Sequence, residues 1–477
     1  MKSRSLIVTT ISLLFCYSSN AQNSTTYKLQ TAIDVALINN NTVKQKELQV
    51  QTARTNYNQS RFNRLPSISG DISYGISNGR SIDPFTNTYN NQRLSSSNGS
   101  ATAVLPIFNG FQISNSIKQN EFNHSAAKFE SQQEKDNLLL NVIVAFLQVV
   151  NNEDVLALGK KQALVTKKQM ERLETLNREG AIAPSLLSDM QGQYATDQLN
   201  IVNAENTLET SKLSLTQLMN MPYSREIKID REGIDVTMDT YTKMPAEIYD
   251  TALNKLAMVK AADLRYKAAN KGIKVASAAY YPTLSLFGQL NSNYSSAARI
   301  FNATTTNEVP TGDYVIVGGA NIPVITRQTN FNDKKISYLS QLDQNLNTYY
   351  GVSLQIPIFS AFKNRSNVSL ARIEARNAAL VADNTRIQLK QAIEQAYIDM
   401  SSANDRYKVL QEQVKAFTES FHAAEIKFES GVINSVEYLI IKNNLDRASI
   451  NLTVARYEYL LRSKVLDFYQ GNLKKNR

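Results

Sequence analysis

Tryptophan is absent from the 477 residues, cysteine occurs once, at Cys16, and histidine only twice. That count excludes a His- or Cys-built zinc site, a disulfide framework and a Cys–His nucleophile pair. No continuous apolar run approaches the ~20 residues of a transmembrane helix. Charge of one sign does not cluster either: 52 Lys and Arg against 42 Asp and Glu give a formal charge of +10. The basic residues stand as scattered pairs such as Lys160-Lys161, Lys334-Lys335 and Lys474-Lys475. A nucleic-acid groove needs a basic stripe with interleaved aromatics, so no nucleic-acid partner is expected. A Gly-rich phosphate loop and a compact set of catalytic residue types are missing as well. The expectation is no enzyme, with no catalytic residues, no metal and no cofactor.

What is present begins at the first residues. Lys2 and Arg4 precede an apolar stretch from Leu6 to Phe15, and Ser19 and Ala21 stand at the −3 and −1 places before Gln22. This is the pattern of a secretory signal peptide over 1–21; a membrane anchor would need a longer apolar core. Phe15, directly before Cys16, is too large for a lipoprotein signal, so the exported chain is expected to be non-lipidated.

Two copies of one unit follow. A shift of 216 places aligns Ala32–Gly70 with Ile248–Leu286, setting Asp34, Ala36, Val43, Pro66 and Ser69 on Asp250, Ala252, Val259, Pro282 and Ser285. A shift of 251 sets Pro106, Phe108, Phe111, Ala145, Gly180 and Ala204 on Pro357, Phe359, Phe362, Ala396, Gly431 and Ala455. The change of offset places about 35 extra residues between Leu286 and Pro357. The organisation expected is a first repeat over 22–222, a linker over 223–245 with a short strand in Ile227-Lys228-Ile229 or Ile234-Asp235-Val236, and a second repeat over 246–477.

Each copy opens with a helical segment, about Leu29–Arg64 and Ala246–Ala279, that runs to Pro66 or Pro282. There the period switches to two. Ile68, Ile72, Tyr74 and Ile76 alternate with serines and Asp71, and Leu284, Leu286 and Leu290 alternate with Thr283, Ser285 and Gln289. Such segments are strands with one apolar face. After a polar loop comes a second strand, with Tyr350, Val352, Leu354 and Ile356 on one face in the second copy, and Ala101, Ala103 and Leu105 in the first over Ser100–Ile107. Four such strands fit either a sandwich core or a barrel facing lipid. A closed barrel is the β structure that satisfies its backbone in a bilayer, and two hairpins cannot close one, so several chains must contribute. Tyr74, Phe85, Tyr89, Tyr280, Tyr281, Phe287, Tyr294, Tyr349 and Tyr350 near the strand ends fit an interfacial girdle, although tyrosine also simply favours strands.

A long helical stretch follows each second strand. Asn109–Arg178 would span roughly 105 Å as a continuous helix. In the second copy Ala396, Met400, Ala403, Tyr407, Leu410, Val414, Phe417, Phe421, Ala424 and Phe428 keep a 4-3 spacing, the seam of a left-handed coil. Val149, Leu156, Ala163, Met170 and Leu173 keep it more patchily. Gly180 or Gly431 marks a turn, and an amphipathic helix returns, with Ile201, Ala204, Leu208 and Leu215 or Leu445, Ala448, Leu452, Ala455 and Tyr459 on its seam.

With Leu105-Pro106-Ile107-Phe108 and Ile356-Pro357-Ile358-Phe359 at matching strand-to-helix junctions, and Phe-Glu-Ser-Gly at Phe428–Gly431, the chain resembles the TolC-type outer-membrane efflux protein family over nearly its whole length. The resemblance implies a mainly α fold with a membrane β-barrel: a homotrimer whose chains give four strands each to a twelve-stranded barrel, continued by an α-helical coiled-coil tunnel. It also implies a passive conduit in the outer membrane of a Gram-negative bacterium, reaching into the periplasm and in contact with outer-membrane lipid. Its partners would be a periplasmic adaptor protein and an inner-membrane RND or ABC transporter. The other reading of the same features is a periplasmic coiled-coil scaffold or adaptor without a barrel.

By the same resemblance the turns Gly180-Ala181-Ile182 and Gly431-Val432-Ile433 are adaptor-docking tips, against the alternative of plain helix caps. The family's acidic constriction position, six residues past the second Gly, falls on Glu437, while Ile440 occupies the one nine past. In the first copy Asp189 lies nine past Gly180 and Leu186 six past. Three copies of Glu437 around an axis would attract cations; an ordinary solvated helix carboxylate is the alternative. Pro106, Phe108, Pro357 and Phe359 mark the barrel–tunnel junction. Arg80–Leu94 and Asn293–Asn345 are the hairpin loops, expected to face outside the cell, the second with an apolar Val315–Pro323 piece suited to a short extra hairpin or plug.

Overall fold

The computed structural model describes residues 26–82, 87–91, 93–231, 241 and 243–472. The signal-like segment 1–21 with Cys16, Phe85, Ile234-Asp235-Val236 and Lys474-Lys475 lie outside the described residues. In chain order the elements are β1 (Thr26–Tyr27), α1 (Leu29–Asn39), α2 (Asn41–Phe62), β2 (Ser67–Ser77), β3 (Ser81–Ile82), β4 (Tyr89–Asn90), β5 (Leu94–Asn109), α3 (Gln112–Arg178) and α4 (Pro184–Leu218). After β6 (Lys228–Ile229) come α5 (Pro245–Lys255), α6 (Ala257–Ser277), β7 (Thr283–Ser295), β8 (Arg299–Val317), β9 (Ala320–Lys335), α7 (Tyr338–Gln344), β10 (Asn347–Gln355), α8 (Lys363–Glu429) and α9 (Ser435–Tyr469). They divide into a helical unit (up to Thr52, Ser125–Leu264 and Leu380 onward) and a sheet-bearing unit (Ala53–His124 and Arg265–Ala379).

The duplication is written into the helix boundaries. α8 and α9 begin and end 251 residues after α3 and α4, and α5 begins and ends 216 after α1. The cores repeat with them: Val43, Leu138, Val142, Val149 and Leu215 in one cluster correspond to Val259, Leu389, Ile393, Met400 and Leu466 in the other. Each such side chain contributes about 1.5–3 kcal/mol on burial. Within α3, Val142, Phe146 and Val149 have no exposed surface, so the stretch of that helix apolar enough to cross a bilayer is a core stripe. The seam expected along α8 is buried or half-buried from Ala396 to Phe428. Its patchiness along α3 has a cause: in-phase positions carry Asn152 and Thr166, both buried.

The single opening helix expected in each copy is two helices. Asn40 leaves the helical region at φ −64°, ψ 123°, and its side-chain Oδ1 accepts from the N–H groups of Thr42 and Val43, capping α2. Leu256 breaks at the same place with φ −68°, ψ 135°. No capping oxygen is available there; burial of Leu256 in the second core holds the bend.

In the other unit the two hairpins join across the duplication into one antiparallel sheet of order β10-β7-β5-β2. Its register puts Ile68 beside Ala103 and Gly288, and Leu105 beside Leu286 and Val352. Directly paired residues share a face, so the apolar sides of all four strands coincide. Ile68, Ile72, Tyr350, Val352 and Leu354 are exposed on it. The opposite face carries Ser69, Asp71, Ser73, Thr102, Gln289, Asn291 and Ser353. Phe287 and Tyr349 fall on this polar face, rings 5.3 Å apart, which removes them from the expected girdle; strict alternation leaves them no other side. Phe287 lies over Gly351, where a Cβ would come 3.0 Å from the ring. β5 begins at Leu94 rather than Ser100 because backbone pairing with β2 continues through Ser77–Leu94, beyond the side-chain pattern. The long loop also differs from expectation: β8 and β9 form an antiparallel ribbon from Arg299–Lys335 to Val317–Ala320, far longer than a Val315–Pro323 hairpin.

Candidate docking tips and channel gate

Both tip turns are built alike. α3 ends with Gly180 at φ 73° and α8 with Gly431 at φ 71°, the left-handed conformation glycine adopts without steric cost. Ala181 N–H bonds Leu176 O and Gly180 N–H bonds Asn177 O; Val432 and Gly431 repeat this with Lys427 and Phe428. These pairs are Schellman caps, which satisfy the last helical carbonyls. The turns then expose Ala181 and Val432, while Ile182 and Ile433 tuck against Leu173, Met190 and Tyr438. Tyr438 stacks on Phe428 at 4.5 Å, and Arg172 pairs with Glu429 at 3.3 Å, so one cluster joins the two tips.

The two acidic candidates are not equivalent. Asp189 accepts a 2.7 Å bond from Ser435 Oγ, in the first turn of α9, and so ties α4 to α9. Glu437 is exposed, and its backbone N–H is capped by Asn434 Oδ1 at 2.9 Å. A carboxylate in the first turn is favoured by the helix dipole, which gives Glu437 a structural use whatever else it does. Ile440 is 57% exposed and supplies no second acidic position.

Behind the tips lies a polar cluster that the sequence reading missed. Lys442, 2% exposed, bonds Asp197 at 3.2 Å and Asp446 at 2.5 Å. Asp197 also accepts from Thr166 Oγ1 and, at 2.8 Å, from Gln193, and Gln193 in turn accepts from Asn443. Three helices are thereby linked by buried hydrogen bonds. Burial pushes the Asp446 carboxyl up, with Asp197 adding to the rise and Lys442 opposing it. The available signal was phase: Thr166, Asp197 and Lys442 fall on the apolar seams of α3, α4 and α9, where a polar residue must have a partner. Further along α3, Arg231 bridges Glu153 and Asp154. Tyr457 donates to Asp154 at 2.5 Å, and its hydroxyl is pushed up to about 12 by burial and that carboxylate.

The junction residues also come in matched pairs. Gly110-Phe111 and Ala361-Phe362 all have positive φ, and Phe108–Phe111 and Phe359–Phe362 pack edge to face at 5.4 and 5.8 Å. Pro106 and Phe108 stay paired with Ser285 and Leu284 on β7, around a bulge at Ile107. Past the end of β10, Ile358 and Phe359, next to Pro357, are 95% and 77% exposed.

A four-stranded sheet with one apolar and one polar face, its two edges unpaired among the described residues, together with duplicated long helices, defines the class of outer-membrane channel proteins. The model for the family described as outer membrane efflux protein matches residues 32–221 and 248–472, and the chain belongs to that family. It is 23% identical over 332 residues to the outer membrane protein TolC of Vibrio cholerae, covering 69% of this chain and 66% of that protein, just under two thirds of its length. It is 20% identical over 443 residues to the cation efflux system protein CusC of Escherichia coli, covering 88% and 80%. A crystal structure of CusC shares the fold with a TM-score of 0.73 at 16% identity, over 93% of this chain and 91% of that one.

Proposed function

We propose that three copies of this chain form a non-lipidated channel-tunnel in the outer membrane that passively conducts substrates delivered by an inner-membrane RND or ABC transporter through a periplasmic adaptor. The observation that carries the reading is the asymmetry of the two junctions. Leu105–Phe108 continues its strand against β7, whereas Ile356–Phe359, its repeat, lies past the end of the edge strand β10 and leaves Ile358 almost fully exposed. Exposed edges of this length invite pairing with another chain, and the bare β2 edge of a neighbour supplies the missing partner; three chains then close a barrel of twelve strands. In this assembly the Gly180–Ile182 and Gly431–Ile433 tips meet the adaptor, Glu437 lines the constriction, and Pro106, Phe108, Pro357 and Phe359 sit where barrel becomes tunnel.

Ile358→Asp tests the trimer. It changes a side chain that a lone chain leaves in water, so a monomeric scaffold tolerates it, whereas the trimer loses its detergent-resistant form on unheated gels. Unchanged trimer yield, or a native chain that stays soluble without detergent, would favour the scaffold reading. Photo-crosslinking from Val432 to a co-expressed adaptor tests the docking tips.

A further inference from the structure

Among the described residues the matching loop of the first copy carries only the two-residue pair β3–β4, and nothing in the channel role above requires a ribbon as long as β8–β9. Its base is fixed. Gln341 of α7, 1% exposed, accepts from Ser295 N–H at 2.9 Å and donates to Ser295 O and Ile336 O at 3.0 Å. Asn345 donates to Asn293 O at 2.7 Å, and Tyr338 packs on Tyr294 at 4.8 Å. The ribbon therefore leaves the end of β7 from a rigid clamp. Its stem is mainly polar and charged, with Arg299 paired to Asp333 and Arg327 to Glu308, Lys334 and Lys335 adding positive charge and Ile300, Phe301 and Phe331 exposed among them.

Beyond Val309 the character changes. Of residues 309–325 only Asp313 is charged. The register, Tyr314 opposite Pro323 and Val315 opposite Ile322, puts Tyr314, Ile316 and Ile325 on one face and Val315, Val317, Ile322 and Val324 on the other. All seven are exposed. A two-stranded ribbon is at best marginally stable in water by itself, and a patch of this kind marks an interaction surface. Insertion into lipid is a poor solution, because both ribbon edges would leave backbone groups unpaired in hydrocarbon.

An element apolar on both faces needs two neighbours, and threefold symmetry gives each copy two neighbours. We propose that the three β8–β9 ribbons of one trimer pack together beyond the barrel, the Tyr314–Ile316–Ile325 face of each against the Val315–Ile322–Val324 face of the next. The contact is heterologous and closes after three steps. It rests on the trimer reading and continues the same chain-to-chain contact beyond the membrane.

Cysteine crosslinking in the reconstituted full-length protein, with Cys16→Ser as background, tests it. Ile316→Cys and Ile322→Cys lie on opposite faces of one ribbon, so their side chains point away from each other and do not bridge within a chain. Mild oxidation of the double variant is expected to give covalent dimers and trimers that survive boiling without reductant, while either single variant stays monomeric. Light scattering reports the assembly state separately. If the protein is trimeric and the double variant does not crosslink, the ribbon contact is wrong, and thiols that are then shielded from a water-soluble maleimide only in lipid vesicles would show burial in the membrane instead. Dimers from a single variant would show pairing of like faces and overturn the heterologous packing. Absence of any trimer would remove the reading beneath it and the proposal together.

Discussion

Lys442 and Asp197 show how much one buried pair can control. Removing one member strands the other charge among apolar seams, a change that typically costs about 3–5 kcal/mol. Lys442→Met should therefore lower the melting temperature of the purified protein sharply, and adding Asp197→Leu should recover much of the loss; equal damage from single and double variants would show that the two do not act as a pair. Asp446 has the opposite tendency. Its carboxyl is raised by burial, and an acid raised on folding contributes stability below its ordinary range that is lost as pH rises through the folded-state value. Asp446→Asn, which keeps the neutral form, is thus expected to be at least as stable as the native chain at neutral pH, with the difference closing as pH falls into the carboxylate range. A variant less stable at pH 7 than at acid pH, relative to the native chain, would reverse that assignment. Neither site was visible as a motif, because a charge in phase with a seam looks like a defect in the pattern until its partners on two other helices are known.

Equivalent positions of the two repeats can demand opposite residues. At the first junction a Cβ on Gly110 would stand 2.7 Å from both Ala278 O and Tyr281 Cβ, neither of which is a flexible side-chain end. At the second, Ala361 already carries a Cβ at φ 47°, a left-handed conformation that costs a non-glycine residue about 1–2 kcal/mol. Gly110→Ala should abolish most of the folded yield, whereas Ala361→Gly should stabilise by about 1 kcal/mol; thermal melts of both variants check the contrast, and equal effects would refute it. At this scale the sequence was a good guide where side-chain period sets the structure. The strand following Pro66, the long helices and the Gly180 and Gly431 turns all stood in periodicity and glycine placement. The breaks at Asn40 and Leu256, the early start of β5 and the length of the β8–β9 ribbon were hidden. They depend on a cap, a buried bend and backbone pairing, none of which leaves a repeating mark on side chains.

For the whole molecule the central claim is that one face of the sheet meets lipid and the other meets water, and two adjacent residues of β2 can separate them. Ile72, 87% exposed, shares the apolar face with Ile68 and Leu105, while Ser73 lies on the face with Asp71, Thr102 and Gln289. In water the two positions are alike, so a scaffold would accept a lysine at either. In a barrel they differ: a cation on the lipid face near mid-membrane costs about 2–4 kcal/mol, whereas one on the lumen face mainly tunes selectivity. Ile72→Lys is therefore expected to reduce the trimer recovered from membranes, and Ser73→Lys to leave recovery intact while three added positive charges shift single-channel current toward anions. The same recordings on Glu437→Ala should show a displacement in the same direction, a loss of cation preference, together with a rise in resting conductance, if those carboxylates ring the constriction. Unchanged current for Glu437→Ala would return that residue to the first-turn helix role that Asn434 already gives it. Equal behaviour of the Ile72 and Ser73 variants would mean that the apolar face does not meet lipid.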